Sequence, residues 1–157
     1  MNENRLEGLK EERNLKSKDV ANYLGIAEST YSEWEHNKIP IPTKRLIQLA
    51  DFYNVNIDYM LNLTNIRKNI KTTTDLDLKL IGIHLREIRK GLGLSLRTLG
   101  NKLNSSFSSL ASYERGECLI QSDNLISLCQ MSNTSIDWIL GRTKDKLLEN
   151  KKLEYAS

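Results

Sequence analysis

The sequence predicts an all-α protein, two tandem five-helix units joined by a short basic linker. First, the 157-residue chain matches itself at an offset of 79, with about 14 identities in roughly 59 ungapped positions. A duplicated structural unit leaves this trace. Second, five aligned positions hold only Gly or Asn, the residues that enter the left-handed region at a helix end most easily. Third, apolar residues recur at helical spacing, as in Val20, Tyr23, Leu24 and in Leu46, Leu49, Ala50, without the period-two alternation of strands.

Each helix in order has its own signal. The five stops are Asn14/Gly93, Gly25/Asn104, Asn37/Gly116, Asn54/Asn133 and Asn62/Gly141. Ser95 is a cap for the second helix of the second unit, by accepting from orphan backbone N–H groups. Its counterpart Lys16 offers none, so that cap is lost or moves to Ser17. Ser106 suits the start of the third helix where Ala27 does not. Thr43 and Ser122 are expected to cap the fourth helix, and Asn56 and Ser135 the fifth. The expected domains are 1–65 and 77–143, with a linker over 66–76 and a tail over 144–157. Units of about 60 residues have small cores and modest stability.

Hydrophobic residues at 39% and charged residues at 27% fit a folded, soluble chain. No apolar run reaches the roughly 18 residues of a membrane span, and the charged start MNENRLEGLK has no apolar leader. A cytoplasmic location is expected, with no membrane partner. Cys118 and Cys129 lack metal-ligand spacing and read as reduced packing or loop residues. His36 and His84 have no catalytic or metal-binding company, and Gly91-Leu92-Gly93 follows a helical pattern, as a helix stop would. No enzyme activity, metal or cofactor is expected. The net charge of +3 points weakly to an anionic partner. Residues 1–65 carry 8 Lys/Arg against 10 Asp/Glu, net −2, whereas the linker carries 3 against 1, net +2.

The tight joins at Gly25 and Asn104 each make a helix-turn-helix. LKSKDVANYLGIAESTYSEWEHNK and LSLRTLGNKLNSSFSSLASYERGE resemble the Cro/cI-type (XRE) helix-turn-helix family. PTKRLIQLADFYNVNIDYML and SDNLISLCQMSNTSIDWILGRT fit its fourth and fifth helices. The resemblance implies two lambda-repressor-like domains covering most of the chain. It also implies that Glu35 pairs with Lys10 and Glu114 with Arg89, as ties between helices rather than DNA contacts. Trp34 and Tyr113 then belong to the cores.

In helix-turn-helix proteins the third helix enters the major groove with its N-terminal residues on base edges. The candidates in the first domain are Glu28, Ser29, Thr30, Ser32 and Glu33, flanked by Lys16, Ser17, Lys18, Asn37 and Lys38 toward phosphate. Glu28 and Glu33 either accept from cytosine N4 or mark a domain that no longer binds DNA. The second domain offers Ser106, Phe107, Ser108, Ser109 and Ser112, with Arg97, Lys102 and Arg115 toward phosphate. Phe107 packs on a thymine methyl, anchors a protein partner, or is partly buried in its own domain.

About ten flexible linker residues average roughly 17 to 19 Å and reach about 30 to 36 Å. Neighbouring half-sites lie about 34 Å apart, so a flexible linker lets one chain bridge two of them. The tail is expected either as a short amphipathic helix using Leu147, Leu148 and Leu153 or as a frayed end. The resemblance implies a sequence-specific DNA-binding transcriptional regulator of phage or mobile-element style, a repressor, bound to double-stranded DNA and dimeric through its fifth helices. The alternative is a protein-interaction module, an anti-repressor or antitoxin-like factor that keeps the fold without the DNA face, its protein partner held by Phe107 or the tail.

Overall fold

A computed structural model describes residues 3–148. These residues form ten α-helices and one isolated bridge, and they divide into two compact units between Lys71 and Thr72. The first unit contains α1 (Leu6–Glu12), α2 (Ser17–Leu24), α3 (Glu28–Glu35), α4 (Thr43–Tyr53) and α5 (Ile57–Met60). The second contains α6 (Leu78–Gly91), α7 (Leu96–Leu103), α8 (Phe107–Glu114), α9 (Ser122–Ser132) and α10 (Ile136–Ile139). No described helix is long and apolar enough to cross a membrane.

The ten Gly and Asn stops are the ten positive-φ residues among those described, from φ 54° at Asn14 to φ 81° at Gly141. The backbone demand is thus the same in both units although the residue type alternates. The aligned apolar pairs Leu6/Leu85, Leu46/Leu125, Leu49/Leu128, Ile57/Ile136 and Leu61/Leu140 are buried in both. Trp34 and Tyr113 are buried as well.

The helix starts agree only in part. Ser95, Ser106 and Ser135 accept from Thr98 N, Ser109 N and Trp138 N, as expected. Thr43 and Ser122 are the first helical residues, one position inside Pro42 and Gln121, which take the cap position. Pro42 fixes the entry without a side-chain acceptor, because its ring pre-sets φ near the required value. Lys16 stays at the cap of α2 while Asp19 Oδ2 accepts from its backbone N–H at 2.8 Å. Ser17 is helical and accepts from Lys10 Nζ instead.

Asn56 sits at the cap of α5 but spends its side chain elsewhere. Its Nδ2 donates to Ile66 O at 3.1 Å, and its Oδ1 accepts from Lys68 N at 2.8 Å. Its backbone N–H donates to Lys68 O. Residues 66–68 are therefore a strap on the first unit, not a loose connection. Thr72 is tied to Arg142 within the second unit.

The tail repeats this arrangement. Ser135 N donates to Lys146 O, Leu148 N donates to Asn133 O, and Thr134 bridges Leu147. Residues 144–148 contain no helix, with a bend at Lys144 and an isolated bridge at Leu147. Leu148 is buried and Leu147 exposed, so the two leucines do not share an apolar face. Leu153 lies outside the described residues. All four residues of α10 are buried, as are Ile57, Asp58 and Met60 of α5.

Candidate nucleic-acid interface

Each site begins with the turn that aims its third helix. In the second unit, Asn104 takes φ 55° and Ser105 N donates to Gly100 O at 2.8 Å. A Cβ on Gly100 would meet Ser105 O at 2.7 Å, so a side chain here would push the turn backbone outward, whereas the first unit closes its equivalent turn on Ala21, with Ile26 N donating to Ala21 O at 3.0 Å. The Ser106 hydroxyl then accepts from Ser109 N at 3.1 Å and lies 2.8 Å from Ser109 Oγ and 3.3 Å from Ser108 Oγ. In the first unit Gly25 makes the equivalent turn at φ 70°, and Ala27 leaves α3 without a side-chain cap.

Two partly buried ion pairs fix the far ends of these helices. Lys10 Nζ donates to Glu35 Oε1 at 3.1 Å and to Ser17 Oγ at 3.0 Å. Arg89 meets Glu114 through two nitrogens, Nε at 2.7 Å and Nη2 at 3.0 Å, and its Nη1 donates to Leu94 O. Glu114 keeps the Arg89 guanidinium charged, shifting its pKa upward. Both pairs face helices rather than solvent. Asn4 and Lys79 add ties that the sequence did not announce. Asn4 Nδ2 donates to Trp34 O and to Asn37 Oδ1, and Lys79 Nζ donates to Arg115 O. Each is a long-range bond from a terminal or linker-edge residue, with no local periodicity to mark it.

What remains outward is small. In the first unit Glu28, Ser29 and Glu33 are exposed and Thr30 and Ser32 half-buried, all on α3. Lys16, Lys18 and Lys38 are exposed on the flanks, Ser17 is half-buried beneath Lys10, and the Asn37 side chain is engaged by Asn4. In the second unit Ser106, Phe107 and Ser108 are exposed and Ser109 and Ser112 half-buried. Arg97 and Lys102 are exposed on α7, and the Arg97 guanidinium carbon lies 5.5 Å from the Phe107 ring centre. Arg115 is exposed and paired with Glu117 at 2.8 Å, which holds the Glu117 carboxyl below its ordinary range. An exposed pair of this kind is worth little and can yield to a phosphate.

The two faces differ in where their charge sits. The first puts carboxylates at the helix tip and lysines beside it. The second puts hydroxyls and one aromatic ring at the tip and cations beside it. Among the described residues no group of three or more His, Cys, Asp or Glu could hold a metal ion. His84 stacks on Trp138 at 3.8 Å, Cys118 is exposed, and Cys129 is buried with its Sγ against Thr134 O.

Comparison with known proteins matches residues 4–66 to a helix-turn-helix domain family and residues 85–139 to a second helix-turn-helix family. The HTH-type transcriptional regulator YobD of Bacillus subtilis is 36% identical over 73 residues, which cover 43% of this chain. The match spans 65% of that relative's length. Among solved structures, the clp gene regulator ClgR of Corynebacterium glutamicum is 30% identical, with a TM-score of 0.38 over 42% of this chain and 70% of that one. The P22 c2 repressor, solved with a synthetic operator, is 28% identical, with a TM-score of 0.38 over 41% of this chain and 97% of its own. The chain thus carries two helix-turn-helix domains, one within residues 4–66 and one within residues 85–139.

Proposed function

We propose that the chain is a sequence-specific, DNA-binding regulator of transcription that acts as a repressor on double-stranded DNA. The observation that carries this reading is the exposed tip of the third helix, built twice, with exposed cations beside it each time. A third helix in the major groove sets its tip against base edges, and the flanking cations then fall near phosphates, which fix register. Glu28 and Glu33 suit cytosine N4, a hydrogen-bond donor, and the serines of α8 suit close approach to either strand. The naming of the B. subtilis relative as a transcriptional regulator supports the same reading. Repression follows if a promoter-overlapping site is occupied. A homodimer belongs to this proposal, and sedimentation equilibrium of the full chain measures it.

Salt dependence tests the reading. If the exposed cations Lys16, Lys18, Lys38, Arg97 and Lys102 each cover one phosphate, log K should fall against log salt with a slope of about −4.5. A flat salt response on the best duplex obtained would refute docking on phosphates. Ser109→Glu is the matching variant. It completes a capping box with Ser106, so the helix keeps its start, yet it places a carboxylate on the reading face. Binding should fall by at least about tenfold.

A further inference from the structure

Phe107 does not behave as a core residue. It is 49% exposed at the first position of α8, surrounded by Ser106, Ser108 and Ser109. Its place is fixed by the turn behind it, where Gly100 allows Ser105 to close against α7. Its ring is covered on one side by Arg97, ten residues earlier on α7. A guanidinium that rests over an aromatic ring keeps its N–H edge available for an anion. Arg97 and Phe107 therefore form one unit with an apolar surface and a cationic edge. The position equivalent to Phe107 in the first domain is Glu28, so the fold itself does not require an aromatic there.

A major groove offers apolar contact at one place, the C5-methyl of thymine. We infer that Phe107 reads a thymine methyl in the site of the second domain, with Arg97 as the positioning residue that holds the ring and meets the adjacent phosphate. This rests on the DNA-binding reading above. A hydroxyl-lined helix tip supplies the close approach, and the ring supplies discrimination between thymine and cytosine at one base pair.

The test uses the full chain and the duplex it selects from random sequence. Each thymine of that duplex is replaced in turn by uracil, which pairs identically and lacks the methyl. Burying one methyl corresponds to about a fourfold change in affinity. The expected result is a loss of about that size at one thymine with the wild-type chain and no loss there with Phe107→Ala. Phe107→Leu, still apolar, should retain part of it. Phe107 contributes little to the core, so thermal melts of the variants should match the wild type. Uracil penalties that are absent, or equal in wild type and Phe107→Ala, would overturn this inference and leave DNA binding standing. Failure to select any duplex would overturn both.

Discussion

In the first domain the tie between the first and third helices is an ammonium, Lys10, shared between Glu35 and Ser17. In the second it is a guanidinium, Arg89, clamped on both oxygens of Glu114. Similar differences recur through the pair of domains. Tyr31 and Tyr53 meet at 2.7 Å inside the first domain, where the second has Leu110 and Ser132. Ser106 caps α8 while α3 starts uncapped at Ala27. Asn56 holds a strap where Ser135 caps a helix. The apolar pairs and the left-handed stops are what the duplication kept. Polar ties can be exchanged for others that satisfy the same buried groups, because only an unsatisfied group is costly.

The largest expected difference lies in the ion pairs. Glu114→Ala should destabilise the second domain by about 3 kcal/mol, since it strands a largely buried guanidinium. Glu35→Ala should cost the first domain less, because Lys10 keeps Ser17 and its flexible stem can carry the ammonium to water. Urea titrations can resolve the domains through tryptophan, with Trp34→Phe leaving a signal from the second and Trp138→Phe from the first. A greater loss in the first domain would break the comparison.

Alkaline pH should separate the domains next. Burial pushes the Tyr53 hydroxyl up to about 12, and it raises Tyr31 further, aided by Tyr53 and Glu35. Tyrosines in the unfolded chain ionise near pH 10. The stability that the pair contributes is therefore complete below about pH 10 and is lost as pH rises through the folded values. The first domain should lose up to about 1.4 kcal/mol per pH unit for each such tyrosine. The second, without a counterpart pair, should change less over the same range. Urea midpoints measured from pH 9 to 12 in the two tryptophan variants check this.

Caps give a smaller effect of opposite sign in the two domains. Ser106→Ala should cost the second domain about 1 kcal/mol, and Ala27→Ser should stabilise the first by a similar amount. Smallest is the exchange of stop residues. Asn14→Gly should shift stability by no more than about 0.5 kcal/mol, while Asn14→Ala should cost about 1 kcal/mol because alanine resists the left-handed region. Thermal melts of the variants measure both.

Why some of this was legible in the sequence follows from the same physics. A left-handed stop tolerates two residue types, so ten positions could be read from identity alone. The caps were harder, since Thr43 and Ser122 sit one residue inside the helix and a hydroxyl there looks like a cap in the sequence. The straps at 66–68 and 146–148 were not legible. They are short and without period, and their bonds to Asn56, Asn133 and Ser135 come from residues 10 to 15 positions away. At the interface, the helix tips followed from the repeat, but the Arg97–Phe107 stack joins two helices across a turn and leaves no pattern in spacing.

The most direct measurement is selection from random double-stranded DNA at near-physiological salt. It should be run with the full chain, with Glu28→Ala plus Glu33→Ala, and with Ser108→Glu plus Ser109→Glu. Two tips of different chemistry predict a motif with two blocks. The first variant should alter one block and the second variant should erase the other. A motif indifferent to both variants, or no enrichment of any sequence, would contradict the reading of these helix tips as DNA-contacting faces.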